Sequence, residues 1–288
     1  MRFATLEIAG SDQACIRRSD RDWAPLNHVR PEFQGDLLVF LDSGTWLTDE
    51  FVGLQQVADD MPSHMVIREA DARFQPPYRR PRKIWGIGLN YGKHAGDLSE
   101  QAPDQPASFI KADHTIIGAG EAIVLPTQSE RTTAEAEVGL VVGRRTQGVD
   151  PTDAMAHVFG VCAVLDQTAE DILQLNPRYL TRSKNFPTFF SFGPEVVTLD
   201  EFLAEGPLED IEVCTLLDGS EVRRDRVANM THAPADLVSF HSQMMPLYPG
   251  DIISTGTPGA GVLTPGCVAE ARIDGLMPLL NPVRAEQV

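Results

Sequence analysis

Short runs of β-forming residues, separated by glycine and proline, recur along the whole chain and leave little room for long helices. The 288 residues include 23 glycines and 21 prolines, which interrupt the periodic segments. The clearest predicted strands are 136–142 and 160–165, and helical spacing is confined to segments such as 153–159 and 235–245. Strands and helices do not alternate regularly, which disfavours a doubly wound parallel sheet. We therefore predict a mixed β fold with few helices, of the α+β class.

A segment rich in proline and arginine divides the chain into two predicted units. It supports a small N-terminal α+β domain over 1–75, a linker over 76–82 and a main domain over 83–288. Within the first unit, the apolar run 37–41 is predicted as a strand. The spacing over 49–60 predicts a short amphipathic helix.

Charge and composition exclude some classes of partner. The formal net charge of −17 and a pI near 4.7 disfavour nucleic-acid binding, which needs clustered lysine and arginine. We expect no signal peptide and no membrane span, because no apolar run is long enough. The cysteines are far apart and form no CxxC pair, so we expect no disulfide framework and a cytoplasmic location. They are Cys15, Cys162, Cys214 and Cys267.

Paired glutamates at the start of the strongest predicted strand are the first candidate site. Side chains alternate along a strand, so Glu135 and Glu137 share one face and Ala136 lies on the other. Asp166 follows the second apolar strand and supplies a third carboxylate. Three hard oxygen ligands suit Mg²⁺ or Mn²⁺, and Ca²⁺ also fits. The same spacing also fits an alternative without metal, in which Glu135 and Glu137 lie on a solvent-exposed strand face and Asp166 lies in a turn.

His94 and Asp97 stand three residues apart in a short polar helical segment. At this spacing they are neighbours on one helical face, where a carboxylate can orient an imidazole that acts as a general base. A polar surface helix fits the same pattern. We predict His94 and Asp97 as catalytic residues.

Two lysines and a glycine-rich turn complete the candidate groups. Lys111 follows Phe109 and Ile110, and Lys184 stands near Phe186 and Phe189; a lysine beside an acidic metal site could neutralise an enolate or a carboxylate. The segment 250–259 is predicted to form a strand followed by a glycine-rich turn, whose amides and hydroxyls could meet an oxyanion. Surface charge and a structural turn are the alternatives.

Taken in order, these segments resemble the fumarylacetoacetate hydrolase superfamily. The resemblance covers about 83–283, with matching order and spacing. The matching pieces are Gly88-Leu89-Asn90-Tyr91 with His94, Pro106 with Phe109-Ile110-Lys111, the strand 135–143, Asp166-Gln167-Thr168-Ala169 with Asp171, Ser183-Lys184-Asn185-Phe186 with Thr188-Phe189 and Gly193-Pro194, Pro249-Gly250-Asp251, Thr255-Gly256-Thr257-Pro258, and Asn281-Pro282-Val283.

The resemblance implies a role for each group. The fold would be a β-roll with a small N-terminal α+β domain, and the protein a homodimer. The glutamate pair and Asp166 would match the metal ligands, and His94 with the following acid would match a dyad on a mobile helix. Lys184 would lie near the metal. The predicted substrate-binding residues are Lys111, Thr257, Gly256 and Tyr91.

This chain departs from the family pattern where substrates are recognised. Asp97 stands where many members have glutamate. Leu89 and Glu170 stand where members with acidic substrates often have arginine, and Leu173 where they often have glutamine. We therefore do not expect fumarylacetoacetate or fumarylpyruvate as the substrate.

The predicted reaction is hydrolysis of a C–C bond in a small 1,3-dioxo acid of the acylpyruvate type, through a metal-stabilised enolate. His94 would activate water, and Lys184 would stabilise the departing enolate. The same site could instead serve an oxo-acid decarboxylase, an enol–keto tautomerase or a 2-oxo-4-enoate hydratase. A third alternative is a catalytically decayed scaffold or binding protein.

Overall fold

The computed structural model describes residues 1–92, 96 and 103–287, and most of its regular structure is strand. In chain order the strands are β1 (Arg2–Ile8), β2 (Ser11–Arg17), β3 (Trp23–Pro25), β4 (Phe74–Gln75), β5 (Ile84–Gly88), β6 (Ala107–Lys111), β7 (Ile116–Ile117), β8 (Ile123–Leu125), β9 (Thr132–Val142), β10 (Val158–Ala169), β11 (Phe190–Thr198), β12 (Glu212–Leu217), β13 (Ser220–Arg226), β14 (Ile252–Ser254), β15 (Ala260–Val262), β16 (Val268–Ile273) and β17 (Leu279–Ala285).

The α-helices in the described part of the chain are short. They are α1 (Leu26–Val29), α2 (Leu37–Ser43), α3 (Asp49–Val52), α4 (Leu54–Asp59), α5 (Pro151–Ala154), α6 (Glu170–Leu175), α7 (Leu180–Lys184), α8 (Leu199–Ala204) and α9 (Pro234–Met244). The predicted mixed β fold with few helices is confirmed.

Two sheets organise these strands. A twelve-stranded sheet has the order β3-β2-β1-β11-β10-β9-β14-β5-β6, with β4, β7 and β15 attached to its members. A five-stranded sheet has the order β13-β12-β16-β17-β8. Strand β1 pairs antiparallel with β11, so the strands of the predicted N-terminal unit extend the main sheet. The division into 1–75, 76–82 and 83–288 stays a prediction.

Strands β9 and β10 lie next to each other within the large sheet, and β10 is buried along all 12 of its residues. On β9 the side chains alternate as predicted, because Ala136, Val138 and Leu140 pack in the main hydrophobic core. Glu135 and Glu137, on either side of Ala136, therefore emerge on the opposite face. This alternation fixes where the candidate metal ligands point.

The predicted strand over 37–41 is wrong, because these residues form helix α2. The Asp36 side chain accepts a hydrogen bond from the Leu38 amide at 3.1 Å and so caps the helix start. Gly44 ends the helix in the left-handed conformation, with φ of 69°. The helix predicted over 49–60 is present as two short helices, α3 and α4.

All four cysteines are free and buried, as expected for a chain without a disulfide framework. Among the described residues, no helix combines the length and apolar character that crossing a membrane requires.

Candidate metal centre

The predicted carboxylate trio converges at one point on adjacent strands. Glu135 on β9 is the register partner of Asp166 on β10, and Glu137 lies two residues further along β9. One carboxylate oxygen from each residue lies within 4.8 Å of the other two. Asp166 was expected at the end of a strand, but β10 continues to Ala169, so the aspartate lies inside the strand. The spacing fits one cation between the three side chains.

Glu137 is the most deeply buried ligand candidate on β9, at 1% exposure. Its Oε2 accepts hydrogen bonds from Ser254 Oγ at 2.5 Å and from the Gly256 amide at 2.8 Å. Burial, followed by the charges of Asp166 and Glu135, raises the pKa of Glu137 to about 8. The fold therefore holds a carboxylate whose negative charge is costly unless a cation is close.

Two buried lysines contact the carboxylate trio. Lys184 Nζ donates to Glu135 Oε2 at 2.8 Å and to Asp166 Oδ2 at 2.9 Å. Lys111 Nζ makes a short contact with Asp166 and donates to the Gln167 carbonyl at 2.9 Å. Both side chains are almost fully buried, at 1% exposure for Lys111 and 6% for Lys184. The two lysines therefore belong to the site and are not surface charges.

The lysines differ in how strongly they hold a proton. Burial lowers the pKa of Lys111 to about 8, and Asp166 only partly offsets it. Burial also disfavours the charge of Lys184, but Asp166 and Glu135 together raise its pKa above the usual range. Lys184 is thus a fixed positive charge at neutral pH, and Lys111 can exchange a proton near neutrality.

The donor set suits a hard divalent cation. When Glu137 is ionised, three carboxylates against two lysine ammonium groups leave an excess of negative charge in a buried site. Isolated buried charge is expensive, and a Mg²⁺ or Mn²⁺ ion with oxygen ligands removes that cost. The described ligand candidates include no histidine or cysteine, which zinc would favour.

The glycine-rich turn after β14 closes against Glu137. Gly256 has φ of 96°, and a Cβ there would lie 2.8 Å from Asn90 Cβ, so only glycine fits without strain. Thr257 Oγ1 donates to the Gly259 carbonyl at 3.0 Å and accepts from the Gly259 amide at 3.1 Å. The Gly256 amide is thus bound to Glu137, and the Thr257 hydroxyl orders the turn.

Tyr91 is fully buried beside the trio. Its hydroxyl has no hydrogen-bond partner among the described residues. Burial raises its pKa, and the charges of Glu137 and Asp225 add to the shift. The hydroxyl therefore stays protonated at neutral pH and can donate.

The structure thus brings most of the predicted site residues together. Those around one centre are Glu135, Glu137, Asp166, Lys111, Lys184, Tyr91, Gly256 and Thr257. His94 and Asp97 lie outside the described residues, so their pairing stays a prediction.

Sequence reasoning missed three supporting residues. Ser254 Oγ binds Glu137, and Thr168 Oγ1 donates to Glu135 Oε2 at 3.1 Å. The Asn90 side chain donates to the Thr255 carbonyl at 2.8 Å and holds the turn. Thr168 stands two residues after Asp166, so strand alternation could have placed it on the ligand face.

The family described as Fumarylacetoacetate (FAA) hydrolase C-terminal matches residues 83–284. The chain belongs to this family. It is 30% identical over 267 residues to oxaloacetate tautomerase FAHD2A, mitochondrial, from Homo sapiens, which covers 90% of this chain and 82% of that protein.

Solved structures of the family share the fold. Fumarylacetoacetate hydrolase from psychrophilic Exiguobacterium antarcticum matches with a TM-score of 0.83 at 25% identity, over 99% of this chain and 100% of that one. A maleylpyruvate hydrolase from Sphingobium sp. SYK-6, in complex with manganese (II) ion and pyruvate, matches with a TM-score of 0.83 at 21% identity, over 100% of both chains. The named family members thus include hydrolases and a tautomerase.

Proposed function

We propose that this protein is a divalent-metal-dependent enzyme that interconverts the enol and keto forms of a small 2-oxo acid of the oxaloacetate type. The observation that supports it is the buried carboxylate trio with Lys111 and Lys184 packed against it. Such a site can stabilise an enolate and move one proton, which is all that tautomerisation requires. The human relative, similar over most of the chain, carries the same activity in its name.

Glu135, Glu137 and Asp166 would hold the cation. Mg²⁺ and Mn²⁺ are the expected metals, with Ca²⁺ as a further fit to the oxygen ligands. When bound, the metal would polarise the 2-oxo acid head and favour the enolate. The Sphingobium protein of the same fold was solved with manganese and pyruvate, so these are the first ligands to test.

Lys111 is the proposed acid–base group. Its amine is buried at the trio, and its lowered pKa of about 8 lets it both accept and donate a proton near neutral pH. In the enol-to-keto direction it would take the proton from the enol oxygen and deliver one to the neighbouring carbon, so that the amine ends in its starting protonation state. Lys184 would keep its proton and balance the charge of the enolate, because two carboxylates raise its pKa.

The remaining predicted residues would position the substrate. The Tyr91 hydroxyl lacks a partner in the described structure and can donate to a substrate oxygen. Gly256 and Thr257 would fix the turn that borders the bound acid, because their hydrogen bonds order it against Glu137. Burial around Glu137 and Asp166 keeps bulk water from competing for these polar groups.

Hydrolysis of a C–C bond in an acylpyruvate-like acid is the second candidate. The similarity to the Exiguobacterium fumarylacetoacetate hydrolase favours it. Hydrolysis needs one group that tautomerisation does not, namely a base that activates water. We propose His94, oriented by Asp97, as this base. Oxo-acid decarboxylation and hydration of a 2-oxo-4-enoate use the same enolate site. A catalytically decayed scaffold or binding protein is the third alternative, and it would take up neither Mg²⁺ nor Mn²⁺ in a calorimetric titration.

One assay separates these reactions. Enol oxaloacetate, an acylpyruvate and a 2-oxo-4-enoate are supplied with Mg²⁺ or Mn²⁺, and the products are resolved by ultraviolet absorbance and mass spectrometry, with chelator-treated protein as control. We expect accelerated enol loss with no change of mass. Cleaved, decarboxylated or hydrated products as the main outcome would replace tautomerisation by the corresponding reaction.

A lysine variant tests the assigned acid–base group. Lys111→Met should lower enol–keto turnover by roughly 100-fold or more, within the usual range for loss of an acid–base group. Manganese binding, measured by calorimetry, should persist because the trio is intact. Full turnover by the variant would remove Lys111 from the mechanism.

The oligomeric state and the cellular location of the protein are also open to test. We propose a homodimer that handles a small oxo acid, in the cytoplasm. Sedimentation velocity at micromolar concentration tests the dimer. Imaging of the tagged protein tests the location, and the human relative, named as mitochondrial, makes an organelle the alternative outcome.

A further inference from the structure

We propose that Ser254 is a positioning residue that makes the centre prefer Mg²⁺ and Mn²⁺ over Ca²⁺. It would do so by holding one oxygen of Glu137, so that this glutamate offers a single oxygen to the cation. Ser254 lies on β14 and is fully buried. The inference rests on the proposed function, because it concerns the cation of the same site.

Both donors that bind Glu137 occupy the same oxygen. Ser254 Oγ donates to Oε2 at 2.5 Å, and the Gly256 amide donates to Oε2 at 2.8 Å. A carboxylate oxygen has two lone pairs, so these two bonds use the accepting capacity of Oε2. Within the described part of the chain, no donor is hydrogen-bonded to Oε1. Glu137 can therefore ligate through Oε1 at no loss, whereas ligation through both oxygens would break a hydrogen bond.

Glu135 shows the same division between its oxygens. Its Oε2 accepts hydrogen bonds from Lys184 Nζ at 2.8 Å and from Thr168 Oγ1 at 3.1 Å. Its Oε1 has no hydrogen-bond donor among the residues that the structure describes. The two glutamates of β9 thus each combine one saturated oxygen with one open oxygen, which favours ligation by a single oxygen from each.

The backbone keeps the Ser254 hydroxyl in place. Strand β14 is paired with β5 on one side and with β9 on the other, and Ser254 is the register partner of Gly86 and of Gly139. Gly139 and Glu137 stand two residues apart on β9, so the serine side chain shares their face. Neither glycine has a side chain that could bind the hydroxyl instead. The donor is therefore fixed by two strands and cannot follow a carboxylate that rotates.

The number of available oxygens turns this arrangement into a preference between cations. Ca²⁺ takes about 6 to 8 oxygen ligands and often uses both oxygens of a carboxylate, whereas Mg²⁺ requires a compact octahedron of roughly six. Mn²⁺ also suits an octahedron of oxygens. Asp166 offers no oxygen without a donor, since Oδ1 contacts Lys111 and Oδ2 accepts from Lys184 at 2.9 Å. The trio thus lacks the additional oxygens that would favour Ca²⁺.

Metal binding in the absence of substrate tests the proposal. Affinities for Mg²⁺, Mn²⁺ and Ca²⁺ are measured by calorimetry at one pH, on the metal-stripped protein and on Ser254→Ala. Loss of the hydroxyl frees Oε2 of Glu137 to join the ligands. The ratio of Mn²⁺ to Ca²⁺ affinity should therefore fall by about 10- to 100-fold, the effect of one hydrogen bond to a charged group.

Two variants separate this role from a general loss of structure. Ser254→Thr keeps the hydroxyl and should restore most of the preference. Ser239→Ala removes another buried serine hydroxyl, which donates to the Val149 carbonyl at 2.7 Å, and should leave all three affinities unchanged. Full loss of the preference in Ser254→Thr, despite its normal thermal unfolding, would contradict the role of the hydroxyl.

Thr168→Val gives a graded comparison at the second glutamate. It removes the longer bond to Glu135 Oε2 and leaves the charged donor Lys184 in place. The ratio of Mn²⁺ to Ca²⁺ affinity should therefore fall in this variant as well, but by less than in Ser254→Ala. A larger fall than in Ser254→Ala would show that Glu135, and not Glu137, sets the preference.

A crystal structure of Ser254→Ala with Ca²⁺ gives a second readout, in which both oxygens of Glu137 should bind the ion. Equal weakening of all three cations in this variant, or an unchanged ratio, would overturn the proposal. Selective metal binding that depends on Ser254, in a protein that does not convert enol oxaloacetate, would support this role while rejecting the proposed reaction. The two failures are therefore distinguishable.

Discussion

The metal centre and an arginine-lined cavity are two charged clusters in one molecule, and they differ in how their charges are balanced. The cavity, of about 540 Å³, is bordered by four arginines. Each of these arginines has an acidic partner: Arg2 with Glu195 and Glu201, Arg17 and Arg21 with Glu69, and Arg18 with Asp20. The cavity therefore holds many charges and little excess of either sign.

At the metal centre the balance is different. Three carboxylates meet two lysines, and Glu137, Asp166 and Lys111 are almost wholly buried. Burial is the largest cause of both shifts, since it raises the pKa of Glu137 and lowers that of Lys111 to about 8 in each case. Within this molecule, deep burial of ionisable groups marks the site for chemistry, whereas the number of charges does not.

Glu137→Gln is expected to give the largest effect, because it removes one ligand charge and keeps the volume. Affinity for Mn²⁺ should fall by roughly 100-fold or more, and turnover should fall with it. Calorimetry with Mn²⁺ measures the first and the enol assay the second. Glu195→Gln, a buried glutamate at the arginine cavity, is the matched control and should leave metal affinity unchanged.

Metal addition should stabilise the folded protein. A ligand that binds only the native state at about 100 times its Kd contributes about 2.7 kcal/mol. Thermal unfolding with and without Mn²⁺ should therefore show a higher Tm with metal, and the shift should vanish in Glu137→Gln. An equal shift in that variant would place the cation elsewhere.

Metal affinity should depend on pH around 8. In the metal-free protein, Glu137 and Lys111 both hold protons below about pH 8, and a cation must compete with them. Affinity for Mn²⁺ should therefore drop by up to about tenfold per titrating group for each pH unit below 8 and level off above it. A flat profile between pH 6 and pH 9, measured by calorimetry in buffers of different ionisation enthalpy, would contradict this.

The smallest effect is expected at the arginine cavity. Arg21 is 69% exposed and pairs with Glu69 at 3.1 Å. Exposed ion pairs contribute little, so Arg21→Ala should change the free energy of unfolding by about 0.5 kcal/mol or less. Metal affinity should stay the same. A loss of turnover in this variant would show that the cavity communicates with the centre.

Part of the site could be predicted from the chain alone. Strand alternation placed Glu135 and Glu137 on one face, and the core position of Ala136 agrees. Asp166 lies next to these glutamates because β10 pairs with β9. Residue spacing does not reveal strand pairing, so the family resemblance was needed to join Asp166 to the glutamates as a metal ligand. The burial of Lys111 was equally hidden, because a lysine in a short motif is usually solvent-exposed.

The fold shows the same limit. The apolar run 37–41 was assigned to a strand, but Asp36 and Gly44 cap it as a helix. A short apolar run is compatible with a strand or a helix, and the capping residues on either side of it indicate the helix. The pairing of β1 with β11 joins residues far apart in the chain, and no local pattern encodes it.

Asp166 lies inside a strand that is hydrogen-bonded on both sides, and this has a consequence for how such an enzyme can diversify. Its backbone is hydrogen-bonded to β9 and β11, so the pairing of the strands fixes where the aspartate lies relative to the other ligand candidates. Tyr91 and Thr257, the residues proposed to position the substrate, lie outside β9, β10 and β11, so replacing them leaves this ladder of backbone hydrogen bonds in place. New substrates can therefore be acquired at the periphery while the reactive centre is carried forward unchanged.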